Sequence, residues 1–280
     1  MSWRMRVVHT TGYNYDAPVT SSYNEARLTP RSDTRQNVIL NRVETDPATR
    51  SYRYTDYWGT AVTAFDLHAP HTSLEVAGSS VVETDAFVPP EETLDWEDLA
   101  ADPVVDRFNE LLGHSTYVPR NRQLTSVAKK LAKDLGPYDA VVAVCDWVNQ
   151  EMSYVPGTTG VHTSAVEAWA EKKGVCQDYA HLTLVLLRSI GIPARYVSGY
   201  LHPNAEAVVG DSVEGQSHAW IEAWTGSWWG YDPTNGVPVN EQHVSVGIGR
   251  DYADVPPLKG IFSGGGSTEL DVVVEITRLA

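Results

Sequence analysis

The feature that most limits what this chain can fold into is a change of periodicity past residue 84. From Trp3 to about Thr84, short segments rich in Val, Thr, Tyr and Arg alternate in character, with turn clusters such as Asp16-Ala17-Pro18 and Trp58-Gly59-Thr60 between them. Thr63, Phe65 and Leu67 against Val62, Ala64 and Asp66 repeat every second residue, the period of a half-buried strand. About six or seven such strands predict an antiparallel β-sandwich. Beyond Leu124 the repeat becomes helical, with Val141, Cys145, Val148 and Met152 on one stripe that makes Cys145 a core residue. Helices are expected over 124–135 and 140–152, and Ser164-Ala165-Val166-Glu167 has the pattern of a capping box. Strands followed by helices place the chain in the α+β class.

Between Glu83 and Asp106 lie nine acidic residues, no Lys or Arg, and the pair Pro89-Pro90, a composition that reads as a linker. The 280 residues then divide into an N-terminal β-sandwich domain over 1–88, an acidic linker and first helix over 89–122, a second folded unit over 123–242, and a C-terminal extension with a final strand over 243–280. Within that extension, 244–266 is a candidate lid, hinged at Gly264-Gly265-Gly266.

The net charge of −15 accumulates beyond Val82 and argues against nucleic acid or an anionic membrane as partner. Leu182 to Ile192, the longest mainly apolar stretch, is too short to cross a bilayer, and the first residues lack the apolar run of a signal peptide. Two cysteines, Cys145 and Cys176, are too few for a disulfide framework and fit a reducing compartment, so a cytoplasmic protein is expected. His9, His68, His71 and the arginines between Arg27 and Arg53 are expected on solvated sheet faces; for the arginines a binding face is the alternative.

The chemistry gathers around Gly174 to Leu201. The sequence predicts a turn, a helix from Cys176 that stops at Gly191, and a strand through Tyr200. A cysteine in the first turn of a helix sits among unpaired N–H groups at the positive end of the macrodipole, a setting that suits a nucleophilic thiol. Downstream, His218, Trp220, Glu222 and Trp224 share one face of a strand, and Thr225-Gly226-Ser227 can turn the chain into a return strand from Trp228 to Asp232. If Trp224 faces Trp228, Asp232 falls opposite Trp220 and diagonal to His218, at roughly 7 to 8 Å between backbones, a gap that two side chains bridge. A two-residue turn would send Asp232 to the other face.

Cys176, His218 and Asp232 are thus candidates for nucleophile, base and orienter. The imidazole would take the thiol proton and return it to a leaving amine, while the carboxylate fixes the imidazole tautomer. The Cys176 amide is one candidate oxyanion donor; Gln177, Tyr154 and Trp220 are oxyanion or substrate-lining candidates. The bland alternative makes Asp232-Pro233-Thr234-Asn235-Gly236 only a turn. A Cys176/His181 zinc site with His162 or His218 lacks paired ligand spacing, so no metal and no cofactor are expected.

Three blocks, GVCQDYAHL at Cys176, SHAWIEAW at His218 and YDPTNG at Asp232, resemble the transglutaminase-like superfamily, in that family's order and 42 and 14 residues apart. VVHTTGYNYDAPVTSSYNEARLTP and HVSVGIGRDYADVPPLKGIFSGGG are similar to bacterial members with an N-terminal β domain, so the likeness covers nearly the whole chain. The resemblance implies a papain-like core over 123–242, helices packed on an antiparallel sheet. It also implies thiol acyl transfer at a peptide or protein carboxamide, with Cys176, His218 and Asp232 in the three roles. Hydrolysis by an amidase or peptidase is the first expectation, transfer to an amine the second, and a catalytically silent binding or assembly module the third. Neither the oxyanion tryptophan of animal transglutaminases nor a calcium loop has a matching position.

Overall fold

The computed structural model describes residues 2–215 and 217–280, and for 267–271 the backbone path alone. Its organising strand is β1 (Ser2–Ala26), 25 residues long and alternately buried and exposed. The strands β2 (Gln36–Asp46), β3 (Ser51–Thr55), β4 (Ala61–Leu67) and β5 (His71–Asp85) follow it. The first half of β1 pairs with β5, and its second half pairs with β4 across a break in register between Asn14 and Val19. Eight antiparallel strands are hydrogen-bonded into one curled sheet through this shared strand, so the strand content expected of a sandwich is delivered as a single connected sheet.

The acidic segment is not a free linker. It forms three short helices, α1 (Trp96–Leu99), α2 (Asp102–Arg107) and α3 (Asn109–Leu112), whose Leu99, Phe108 and Leu111 enter the core of the second unit. Next come α4 (Arg122–Leu131), α5 (Pro137–Glu151), the short β6 (Ser153–Tyr154), α6 (Ala165–Glu171) and β7 (Lys173–Gly174). The capping box at Ser164 is present, with Glu167 reaching back to the Ser164 N–H at 2.8 Å. The central helix α7 (Cys176–Ser189) is buried all round, which accounts for its apolar run from Leu184 to Leu187. One charge lies in that run. Arg188 is buried and donates to the carbonyls of Ala194, Gly113 and Arg250 at 2.6–3.1 Å, tying the end of α7 to three other segments. Burial lowers its guanidinium pKa to about 10.

Against α7 lies a five-stranded antiparallel sheet, built from β8 (Ala194–Leu201), β10 (His218–Trp224), β11 (Trp228–Asp232), β12 (Val237–Pro238) and β13 (His243–Gly249) in the order β12-β11-β10-β8-β13. The boundary expected at 242 therefore cuts a sheet, because β13 belongs to the core. The rest of the extension returns to the first unit: β14 (Leu258–Gly264) and β15 (Ser267–Arg278) both pair with β1. A lid over 244–266 is thereby overturned, since backbone pairing commits both ends of that segment to sheets. Between β8 and β10 the chain forms β9 (Ser212–Gly215), which pairs with β15.

The two units share a core in which Trp3, Met5 and Val82 of the first pack with Tyr200, Val244 and Val246 of the second. His9, expected in solvent, is buried here with its Nδ1 3.0 Å from the Tyr200 hydroxyl, and burial lowers its pKa to about 4. His71 is also buried, while His68 is exposed.

Arg188→Met is expected to lower stability by about 2–4 kcal/mol in urea unfolding, because the carbonyls it serves lose their charged donor. A loss below about 1 kcal/mol would mean that the interior does not depend on this tie.

Candidate active site

Cys176 is the first residue of α7, and its approach is fixed from both sides. The Asp178 carboxylate accepts from the Val175 N–H at 2.8 Å and from the Thr159 hydroxyl at 2.7 Å, closing the helix N-terminus. Gly174 must be glycine, since a Cβ there would stand 2.5 Å from the Asp178 carboxylate oxygen. Parallel pairing of β6 with β7 sets Tyr154 opposite Gly174 and brings its ring to the site. Tyr154 is 53% exposed, and its phenol is raised above the usual range by burial, with Cys176 and Asp232 adding to the shift.

The hairpin has the register that an odd turn requires, with Trp224 opposite Trp228 and Ile221 opposite Tyr231. Gly226 takes φ +118° at the turn, a left-handed conformation suited to glycine. His218 Nε2 then lies 2.7 Å from Asp232 Oδ2. Cys176 lies beside the His218 ring, close enough to raise its pKa. The structure thus brings the three expected residues together. Burial opposes charge on His218, but the hydrogen bond to Asp232, the nearby Cys176 and the negative charge of both outweigh it, raising the imidazole to about 10.

Asp232 is fully buried and has more partners than the sequence suggests. Its Oδ1 accepts the N–H groups of Thr234 at 2.9 Å and Asn235 at 3.2 Å, and Oδ2 accepts the Asn235 side-chain amide at 2.7 Å. The turn expected at 232–236 is present, and it is what holds the carboxylate. Helix α5 braces it: Asn149 donates to the carbonyls of Pro233 and Thr234 at 3.0 and 2.8 Å. Burial alone would raise the Asp232 pKa, yet donors from His218 and His243 hold it well below the usual carboxylate range.

His243 is the residue that sequence reasoning missed. Its Nε2 lies 3.3 Å from Asp232 Oδ2, and its Nδ1 lies 3.1 Å from the Asn240 side-chain oxygen and 3.3 Å from the Asn240 backbone nitrogen. Burial lowers its pKa despite Asp232, so one carboxylate oxygen serves two histidines whose pKa values are shifted in opposite directions. His243 is held from the first unit. Arg35 donates to the carbonyls of Asn240 at 2.9 Å and His243 at 3.4 Å, Thr84 to that of Glu241 at 2.5 Å, and Gln36 exchanges two hydrogen bonds with Ser245. An HxxN-type signal is absent from the sequence, and only its position just after a turn could have drawn attention to His243.

The other candidates fare differently. Gln177 directs its amide to the Val161 carbonyl at 3.2 Å, bracing the loop before α6. Trp220 does not line a cleft: it is fully buried, with its ring edge-on to His243 at 5.2 Å and against Gly199, where a Cβ would meet the indole at 2.6 Å. Cys145 is a core residue, its thiol pushed well up by burial, then by Asp146 and Asp232. His181 accepts the Tyr252 N–H at 3.1 Å and His162 meets the Tyr117 hydroxyl at 2.9 Å, so neither joins Cys176. Among the described residues, the group with metal-ligand spacing is His218, Asp232 and His243, whose ligand atoms lie within 4.8 Å of one another. A cavity of about 190 Å³ opens beside His218, between Tyr154 and the β9–β15 pair.

Two outcomes test this geometry. Because His218 is raised in the folded protein, the stability it contributes is complete below its ordinary value of 6.5 and is lost as pH rises through about 10. Urea unfolding should therefore show a gap between the native protein and His218→Gln that narrows from about pH 6 to about pH 10; a constant gap would refute the imidazolium. At neutral pH, iodoacetamide should modify Cys176 and spare Cys145, and His218→Ala should slow modification of Cys176 by about tenfold or more. Equal rates in the two proteins would show that the ring does not activate the thiol.

Comparison with known proteins agrees with this architecture. The profile of the "Transglutaminase-like superfamily" matches residues 125–233, and that of the "Bacterial transglutaminase-like N-terminal region" matches residues 5–83. An uncharacterised protein of Mycobacterium leprae (strain TN) is 64% identical over 99% of this chain and 100% of its own length. A protein-glutamine gamma-glutamyltransferase of Pseudomonas aeruginosa is 30% identical over 50% of this chain and 23% of its own length. A crystal structure from Cytophaga hutchinsonii, provisionally assigned as a cysteine protease, superposes with a TM-score of 0.78 at 24% identity, covering 100% of this chain and 92% of that one. The chain belongs to the transglutaminase-like superfamily, in its bacterial form with the N-terminal β region.

Proposed function

We propose that the protein is a cysteine-dependent enzyme that opens a carboxamide of a peptide or protein through a thioester, with water as its main acceptor. The observation that carries this reading is the single imidazole of His218, hydrogen-bonded to Asp232 and close enough to Cys176 for the thiol to raise its pKa. In the first step the Cys176 sulfur bonds to the carboxamide carbon while His218 holds the thiol proton. The carbonyl oxygen becomes an oxyanion facing the α7 N-terminus, where the Cys176 N–H is a donor. Collapse of that adduct breaks the C–N bond, the proton passes from His218 to the leaving nitrogen, and a thioester remains. His218 then takes a proton from water, whose oxygen attacks the thioester, and returns it to sulfur as the acid leaves.

Hydrolysis is favoured by where the tryptophans go. Trp224 packs on Phe108 at 4.7 Å and Trp229 on Tyr138 at 4.4 Å, while Trp220 is buried beneath the histidines. They serve as hairpin packing, and half-exposed Tyr154 leaves the thiol side open to water. Transfer to an amine is the second reading, supported by the match to the Pseudomonas gamma-glutamyltransferase. Two unpaired cysteines, one of them buried, favour a reducing, cytoplasmic setting. No helix among the described residues is long and apolar enough to cross a membrane.

Incubation with glutamine- and asparagine-containing peptides, with and without methylamine, separates these readings by mass spectrometry. Acid product or peptide cleavage is expected in both conditions, abolished by Cys176→Ala. Methylamide replacing acid would establish transfer, and turnover surviving in Cys176→Ala would remove the thiol mechanism.

A further inference from the structure

A large cavity lies away from the thiol. It lies in the cleft between the two units, against the face of β10 and β11 that carries His218 and Asp232, and has a volume of about 840 Å³, within the usual range for small-molecule sites. No residue of the Cys176, His218 and Asp232 set lines it. Its nearest approach along the chain is Gly230, on the same strand as Asp232 and two residues before it, roughly 7 Å away at a strand's rise per residue.

Aromatic side chains, Phe87 and Trp228, form one wall, and arginines face them from the first unit and from β8. The charges are unequally satisfied. Arg195 is paired with Glu222 at 2.5 Å, and its guanidinium lies over the Trp228 ring at 4.0 Å. Arg35 donates to the backbone carbonyls of Asp85, Asn240 and His243. Asp33 accepts the Arg35 and Gln36 N–H groups at 2.9 and 3.0 Å. Arg31 is half-buried and, among the described residues, its guanidinium has no hydrogen bond or ion pair. Burial lowers its pKa, so it is a cation partly withdrawn from water with a planar donor fork to spare.

We propose that this cleft is a binding site for a small aromatic monocarboxylate, its carboxylate held by Arg31 and its ring against Phe87 and Trp228. The guanidinium fork matches a carboxylate in two parallel hydrogen bonds, and the aromatic wall covers a planar apolar body. Asp33 and Asp85 in the same lining repel a second negative charge, which selects a monoanion over a phosphate dianion. The arginines noted in the sequence between Arg27 and Arg53 are therefore divided, with Arg31 serving this cleft and Arg35 serving the segment that carries His243.

Isothermal titration of the full chain with indole-3-acetate, and with indole-3-acetamide as its uncharged counterpart, tests the assignment. Binding of the acetate with Kd at or below about 1 mM is expected, in keeping with the efficiency of ligands of this size, and the acetamide should bind at least about tenfold more weakly. Arg31→Met, shown by its melting curve to be folded, should weaken the acetate by a similar factor, and Trp228→Leu is a second variant with the same expectation. Protein whose Cys176 has been blocked with iodoacetamide should bind unchanged. No binding of the acetate up to about 10 mM, equal binding of the acetamide, or undiminished affinity in both variants overturns the proposal. Loss of binding on blocking Cys176 also overturns it, by placing the ligand in the thiol cleft.

Discussion

A buried carboxylate is the constraint on which this structure turns. Asp232 is withdrawn entirely from water, where an uncompensated negative charge would destabilise the fold by several kcal/mol. Five donors offset that penalty: two backbone N–H groups, the Asn235 amide and two imidazoles. They arrive from the hairpin, from the turn that follows it and from β13, so forming the carboxylate's shell fixes three segments together. The same shell divides the histidines. The pKa of His218 is raised because it meets both Asp232 and Cys176, while burial lowers that of His243.

The thiol end obeys a simpler rule. Helix α7 is buried on every side, so its orientation is set by packing along its length and by Arg188 at its end. Its N-terminus can then be presented at one edge of the sheet, where the capping carboxylate of Asp178 and the absent side chain of Gly174 leave the approach to Cys176 narrow and defined. Cys176 and His218 thus come from elements that are rigid for different reasons, which is how such a constellation is kept together without a ligand.

Much of this was legible because it depends on local chemistry. The start of α7, the capping box at Ser164, the odd hairpin turn and the pairing of Trp224 with Trp228 all follow from residue type and spacing over a few positions. What could not be read was long-range. Nothing near His243 says that it will stand beside Asp232, since their approach depends on β13 joining β8. Nothing near Ser267 says that the last strand will return to β1. His9 looked like a solvated strand histidine because its alternation places it on a face without saying what covers that face; Tyr200 does. The acidic segment misled for a related reason: charge suggested a linker, while the few apolar residues, Leu99, Phe108 and Leu111, decide that it packs.

These long-range contacts change what the N-terminal unit is for. Arg35, Gln36 and Thr84 lie on or beside strands of the first sheet, yet they hold residues 240–245, and that segment delivers His243 to Asp232. A sheet that only covered the core would have no need to direct side chains at the backbone of a catalytic-side segment. The two units also share an apolar core through Trp3, Met5 and Tyr200, and exchange strand pairing through β9 and β15. The division of the sequence into a β unit and a transglutaminase-like unit is therefore a division of periodicity, not of packing. The geometry of the second is completed by the first, and the cleft between them is a consequence of that joint construction.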